Sequence, residues 1–177
     1  MTMEPDSSRP AGPGTATTAT PLDRDTEDLL LEHQLCFALT VASRNVVGAY
    51  KPVLDKLGLT HPQYLVMLCL WEKNAQSLRN ISDALAQEPA TISPLLRRLE
   101  AAGLITRERM DGNERALSVK LTPEGAALRQ KAVAVPGTMM DRLGLTRDQV
   151  GDLHRAMVGL IAATNRSAPE APDEPGV

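Results

Sequence analysis

SLRNISDALAQEPATISPLLRRLEAAGLITRERMDGNERALSVKL, residues 77–121, is the stretch on which the fold turns. Ser77 has the residue type that caps a helix, and behind it Leu78, Ile81, Ala84 and Leu85 recur at helical spacing. A brief turn leads to Pro89, at a first helical position where a missing N–H costs nothing. A second helix then runs to about Ala102 and is stopped by Gly103. Two short alternating runs, 104–109 and 115–121, flank Asp111-Gly112, which is a hairpin signal. A short helix, a helix and a two-stranded wing in this order form a reader of duplex DNA.

On the N-terminal side, Thr60-His61-Pro62-Gln63 reads as a capping box. It opens a helix over 64–71 that is apolar on every side and so expected to be buried throughout. Before it, Leu35, Leu39, Ala42, Val46, Tyr50, Val53 and Leu57 step by three or four. That spacing predicts one long amphipathic helix from about Glu27 to Leu57, bent by Pro52 and ended by Gly58. On the C-terminal side, Thr122-Pro123 caps a helix to about Val135, interrupted by Pro136-Gly137. Thr146 to Gln149 is a second capping box, opening a last helix through Leu153, Met157, Leu160 and Ile161.

The expected fold is therefore mainly α with a small β-hairpin wing. The winged helix-turn-helix covers about 62–121. The flanking helices, about 27–57 and 123–165, are too long for one small core and are expected to pair two copies. Residues 1–25 and 167–177, rich in Pro, Gly, Thr and Ala without apolar periodicity, are expected to be a disordered leader and tail around a single domain at 26–166.

The formal net charge of −3 looks wrong for a nucleic-acid binder, but the ends account for it. Residues 1–28 hold six acids against Arg9 and Arg24, and 167–177 hold three acids and no base. Of 22 acids and 19 bases, this leaves 13 and 17 over 29–166, a mildly basic centre. No apolar run is long enough to span a membrane and no signal peptide leads the chain, so a cytoplasmic protein is expected. Two cysteines, Cys36 and Cys69, make no disulfide framework or metal site, and nothing calls for a cofactor.

Base edges are approached by small or polar residues in the first turn of a recognition helix, which fits Pro89, Ala90, Thr91 and Ser93. Arg97 and Arg98 come later, where such a helix crosses the phosphates; alternatively they solvate an open face or pair with Glu100. Arg107, Arg109 and Arg115 bracket a hairpin narrow enough for a minor groove, although Arg107 and Arg109 also suit an ordinary strand surface. Cys69, between Leu68 and Leu70, reads as a small core residue.

These residues, taken together, resemble the MarR family of bacterial regulators and, within it, the organic-hydroperoxide-sensing OhrR subgroup, from about Leu31 to Lys131 and more weakly to Arg166. The segments that carry the resemblance are Gln34-Leu-Cys-Phe-Ala-Leu39, Tyr50-Lys-Pro52, Leu59-Thr60, Pro62-Gln63-Tyr64, Leu70-Trp71-Glu72 and Pro94 to Ile105. Four departures stand out. Thr40 and His61 replace tyrosines, Glu88-Pro89-Ala90-Thr91 replaces Asp-Ser-Gly-Thr, and Asn113 replaces an aspartate of the wing.

The resemblance implies a homodimer on a pseudo-palindromic operator, not an enzyme. It implies that Cys36 senses peroxide with Tyr50, His61 and Tyr64 about it, and that Arg115 enters the minor groove, oriented by Asp111 or Glu114. With Cys36 some two turns inside a long helix, Tyr50 lies about 21 Å along that helix and can meet the thiol only across a dimer or if the helix breaks. The resemblance implies the former, with Tyr50 donating to the other subunit's cysteine. His61, neutral or protonated, would donate in place of the tyrosine. No cysteine in the C-terminal third offers an inter-subunit disulfide, so a mixed disulfide with a small cellular thiol is implied. The alternative is a regulator of the same kind released by a small apolar or phenolic ligand, with Cys36 a packing residue. A thiol peroxidase would need a resolving cysteine, which the chain does not place nearby.

Overall fold

The computed structural model describes residues 27–110 and 113–167. They fall into two compact units, one ending at Val41 and one starting at Ala42. The expected leader and the tail from 168 onward lie outside the described residues.

In the first unit the predicted long helix does not begin at Glu27. A 3-10 turn occupies Leu31–His33, and helix α1 runs Leu35–Leu54. His33 Nδ1 lies 2.7 Å from the Glu27 carbonyl, and Gln34 Nε2 donates to the Asp28 and Leu30 carbonyls. These local bonds give the backbone an alternative to the helical ladder. Cys36 therefore stands in the first turn of α1, not two turns inside a helix.

In the second unit, α1 gives way to a 3-10 turn at Asp55–Leu57 and to Gly58, which takes the left-handed conformation. Helix α2 is His61–Glu72. The expected box is present: the Thr60 N–H and hydroxyl both donate to Gln63 Oε1, each at 2.9 Å. The all-round apolar sequence of α2 predicts complete burial, but burial is incomplete. Val66, Met67 and Leu70 are enclosed, Leu68 is 41% exposed and Cys69 is half-buried. A helix whose every face is apolar but whose neighbours cover only part of it leaves a sticky face on this unit.

Strand β1, Gln76–Ser77, was not expected. Helices α3 (Leu78–Ala84) and α4 (Pro89–Ala101) follow, then β2 (Ile105–Met110) and β3 (Asn113–Leu121). The wing is thus part of a three-stranded antiparallel sheet in the order β1-β3-β2. Gln76 pairs with Val119, and Ile105 pairs with Leu121. Two residues are too few to show alternation, and Ser77 has a double role: it ends β1 and its Oγ caps α3 by accepting from the Asn80 N–H at 3.1 Å. Gln76 Nε2 also donates to the Cys69 and Lys73 carbonyls, at 2.8 and 2.7 Å, tying the end of α2 to the sheet.

Leu54, Met67, Leu70, Ile81, Ile92, Leu99, Ile105 and Val119 are fully buried and form the core that α1, α2, α3, α4 and the sheet share. Helix α5 (Pro123–Ala132) is capped by Thr122, whose Oγ1 accepts from the Gly125 N–H at 3.0 Å. Trp71 Nε1 donates to the Gly125 carbonyl at 2.8 Å. Only glycine fits there, because a Cβ would lie 2.0 Å from the Leu104 carbonyl oxygen. Pro136-Gly137, expected as an interruption, instead opens a separate helix, α6 (Val135–Leu143), with Pro136 in its first turn. Helix α7 (Arg147–Ser167) follows, its start boxed by Thr146 and Gln149 as expected.

Candidate reading head and sensing cluster

Helix α4 buries Ile92, Leu96 and Leu99 against the core. The opposite face is therefore fixed outward. It carries Pro89, Ala90, Thr91, Arg97 and Arg98, all exposed, while Ser93 is half-buried. Ala90 and Arg97, like Thr91 and Arg98, are seven residues apart and share a stripe over about 10 Å of helix. Small groups lead and guanidinium groups follow, on one open surface.

The two arginines do not pair with Glu100. That acid is taken by Arg107, which donates through Nε at 2.8 Å and through Nη2 to the same carboxylate oxygen. The Arg107 hydrogen bonds hold the Glu100 carboxyl below its ordinary range. Arg107 is half-buried and braces β2 against α4. On the far strand Lys120 pairs with Glu108 at 2.6 Å, and on α3 Arg79 lies 3.9 Å from Asp83. Among the described residues, Arg97 and Arg98 enter no ion pair. Arg109 and Arg115 stand on β2 and β3, but their side chains, like the whole of Asp111, lie outside the described residues.

Of the residues expected to sense, three come together in the second unit. The Tyr50 ring centroid is 5.1 Å from that of His61 and 6.2 Å from that of Tyr64. Tyr64 in turn meets Trp71 edge-on at 6.3 Å. Tyr64 is nearly enclosed, and burial followed by the neighbouring Tyr50 pushes its hydroxyl above the usual tyrosine range. Burial lowers the His61 imidazole below its ordinary value, so the neutral ring, with one N–H to give, is the favoured form at neutral pH. A hollow of about 330 Å³ opens beside His61, between Val47, Gly48, Lys51 and Leu59.

Cys36 belongs to the first unit and is exposed. Its place in the first turn of α1 puts it among backbone N–H groups that have no acceptor within a helix. Thr40 supplies no donor to the sulfur; its hydroxyl turns back to the Cys36 carbonyl at 2.8 Å.

A second cavity, about 470 Å³, was not anticipated. Val46 and Tyr50 of α1, Met139, Met140 and Leu143 of α6, and Leu153, His154 and Met157 of α7 line it. Its floor is α6, whose opening Pro136 also suits a helix break; proline's preference for a first helical position is the sequence signal for it. Among the described residues no helix is long and apolar enough to cross a membrane.

Comparison with known proteins gives the same outline. The MarR family model matches residues 59–117. The organic hydroperoxide resistance transcriptional regulator of Bacillus subtilis is 43% identical over 127 residues, which span 72% of this chain and 84% of that protein. The structure of reduced AbfR bound to DNA, AbfR being a Staphylococcus epidermidis protein, superposes with a TM-score of 0.66 at 30% identity, covering 79% of this chain and 97% of the other. CouR from Rhodococcus jostii RHA1 bound to p-coumaroyl-CoA gives 0.64 at 26% identity, over 76% and 95%.

Proposed function

The chain belongs to the MarR family of transcriptional regulators, and from that premise we propose that it is a homodimeric repressor that releases DNA when organic hydroperoxide oxidises Cys36. The observation that carries this reading is the meeting of Tyr50, His61 and Tyr64 in one cluster, with an exposed thiol in the first turn of α1. Regulation by release, not turnover of peroxide, is the role assigned to that thiol.

Each subunit offers the first turn of α4 to base edges through Pro89, Ala90, Thr91 and Ser93. Arg97 and Arg98 hold phosphates, and the wing arginines Arg109 and Arg115, with Asp111 beside them, reach the minor groove. Arg107, engaged with Glu100, holds the wing at its angle to α4. In the dimer the Cys36 sulfur of one subunit meets Tyr50 and His61 of the other, whose O–H and N–H favour thiolate.

The thiolate attacks the distal oxygen of the hydroperoxide. The O–O bond breaks, the sulfur is oxidised to sulfenic acid, and the peroxide is reduced to its alcohol. A small cellular thiol then condenses with the sulfenic acid, forming a mixed disulfide and expelling water. The bulk of that adduct between subunits disfavours the DNA-competent spacing. About 2.8 kcal/mol of such bias weakens binding roughly a hundredfold.

The test is a gel shift with Cys36→Ser. The variant is expected to bind its operator as the wild type does but to stay bound under cumene hydroperoxide. Normal release by the variant would refute the thiol mechanism.

One observation favours a second reading. The apolar cavity bordered by Tyr50, Arg147 and His154 suits a small aromatic ligand, and CouR carries such a group in its bound acyl-CoA. Release by a phenolic acid from the Cys36→Ser protein would support it.

A further inference from the structure

An N-cap position ordinarily holds Ser, Thr, Asp or Asn, whose short side chain accepts from a first-turn N–H. Helix α4 has Glu88 there, with φ −64 and ψ 143, and Glu88 makes no side-chain cap bond. Pro89, with its φ already helical, starts the helix without that bond. The Glu88 carboxylate is thus not consumed by the backbone.

It is not consumed by a cation either. Between Gln76 and Glu108 the other acids are matched: Asp83 with Arg79, Glu100 with Arg107, and Glu108 with Lys120. Among the described residues Glu88 has no such partner. It is exposed, and with Thr91 it borders a hollow of about 490 Å³ at the turn between α3 and α4. An unmatched carboxylate therefore stands at the leading edge of the face that carries Ala90 and Thr91.

On a surface meant for phosphates such a group is a penalty unless the groove offers it a donor. The major groove has two amino donors. Adenine N6 lies beside the acceptor N7 of the same base, which repels a carboxylate, whereas cytosine N4 presents a donor alone. We propose that Glu88 is a specificity-determining residue that accepts a hydrogen bond from cytosine N4 at one symmetric position in each half-site, and by repulsion rejects duplexes lacking it. This rests on the DNA-binding reading above.

The purified dimer would be used to select duplexes from a randomised pool, wild type beside Glu88→Gln, with circular dichroism confirming that both are folded. Wild type is expected to enrich one C·G pair per half-site. Replacing that cytosine with a pyrimidinone lacking the amino group should weaken binding about tenfold or more. Glu88→Gln is expected to lose that discrimination and to shift toward A·T, since an amide can both donate to N7 and accept from N6. If Glu88→Gln enriches the same C·G pair, or merely binds every duplex more tightly by one common factor, the inference is overturned and Glu88 is only a source of repulsion. A wild-type protein that enriches no sequence would instead overturn the DNA-binding reading itself, and this inference with it.

Discussion

Gly125 shows how a single side-chain atom can matter. A methyl group there would collide with the Leu104 carbonyl oxygen, which is backbone and cannot swing aside. Gly125→Ala should cost about 1–3 kcal/mol, read as a lower urea midpoint with unchanged slope. His61 sets a pH limit. Its folded pKa lies below the ordinary 6.5, so at mildly acidic pH the unfolded chain binds more protons than the folded one. Stability should be complete above about pH 6.5 and fall as the pH drops from there toward the folded value. His61→Phe should flatten that part of a melting-temperature profile; an unchanged slope would exclude the assignment. At this scale the sequence is partly legible. The expected grouping of Tyr50, His61 and Tyr64 corresponds to a real cluster, because residues on the end of one helix and the start of the next are bound to meet. The depth of Cys36 is not legible, because side-chain bonds from His33 and Gln34 to carbonyls 27 and 28 leave no trace in apolar periodicity. Glu88 gives no signal of its own, since an acid at a helix start looks like ordinary dipole compensation.

Among the elements, α4 is the most legible. A proline, an apolar stripe and a glycine bound it, and packing of Ile92, Leu96 and Leu99 decides which face is left to work. Arg97→Ala or Arg98→Ala should weaken binding by a similar factor on every duplex and reduce the salt slope by about one for each phosphate no longer held. A loss confined to one sequence would move that arginine from phosphates to bases. The sheet is less legible. Strand β1 is fixed by pairing with β3, a partner some forty residues away, and no local pattern encodes it. Helix α6 is hidden for the opposite reason: its signal is local but ambiguous, since proline both ends and begins helices.

For the whole molecule, the second unit leaves apolar residues in the open along α7. Val150, Leu153, Met157 and Ile161 lie three or four apart, the last 59% exposed, on a helix with no comparable buried stripe. Such a surface is expected to close against a second copy. Leu153→Glu combined with Ile161→Glu should yield monomers by light scattering and weaken operator binding at least a hundredfold, two reading heads acting separately in place of one dimer. A double variant that stays dimeric would place the pairing surface elsewhere. Helix length alone raises the expectation of pairing, but which residues would form the seam depends on what α5 and α6 already cover.

Trp71 is the chain's sole tryptophan, and its N–H is held by the Gly125 carbonyl in a nearly enclosed site. Its emission therefore reports on one joint, the seat of α5 against the end of α2. Anything that loosens that joint should shift the emission to the red, so an intrinsic, label-free optical probe of that joint is already built into the protein.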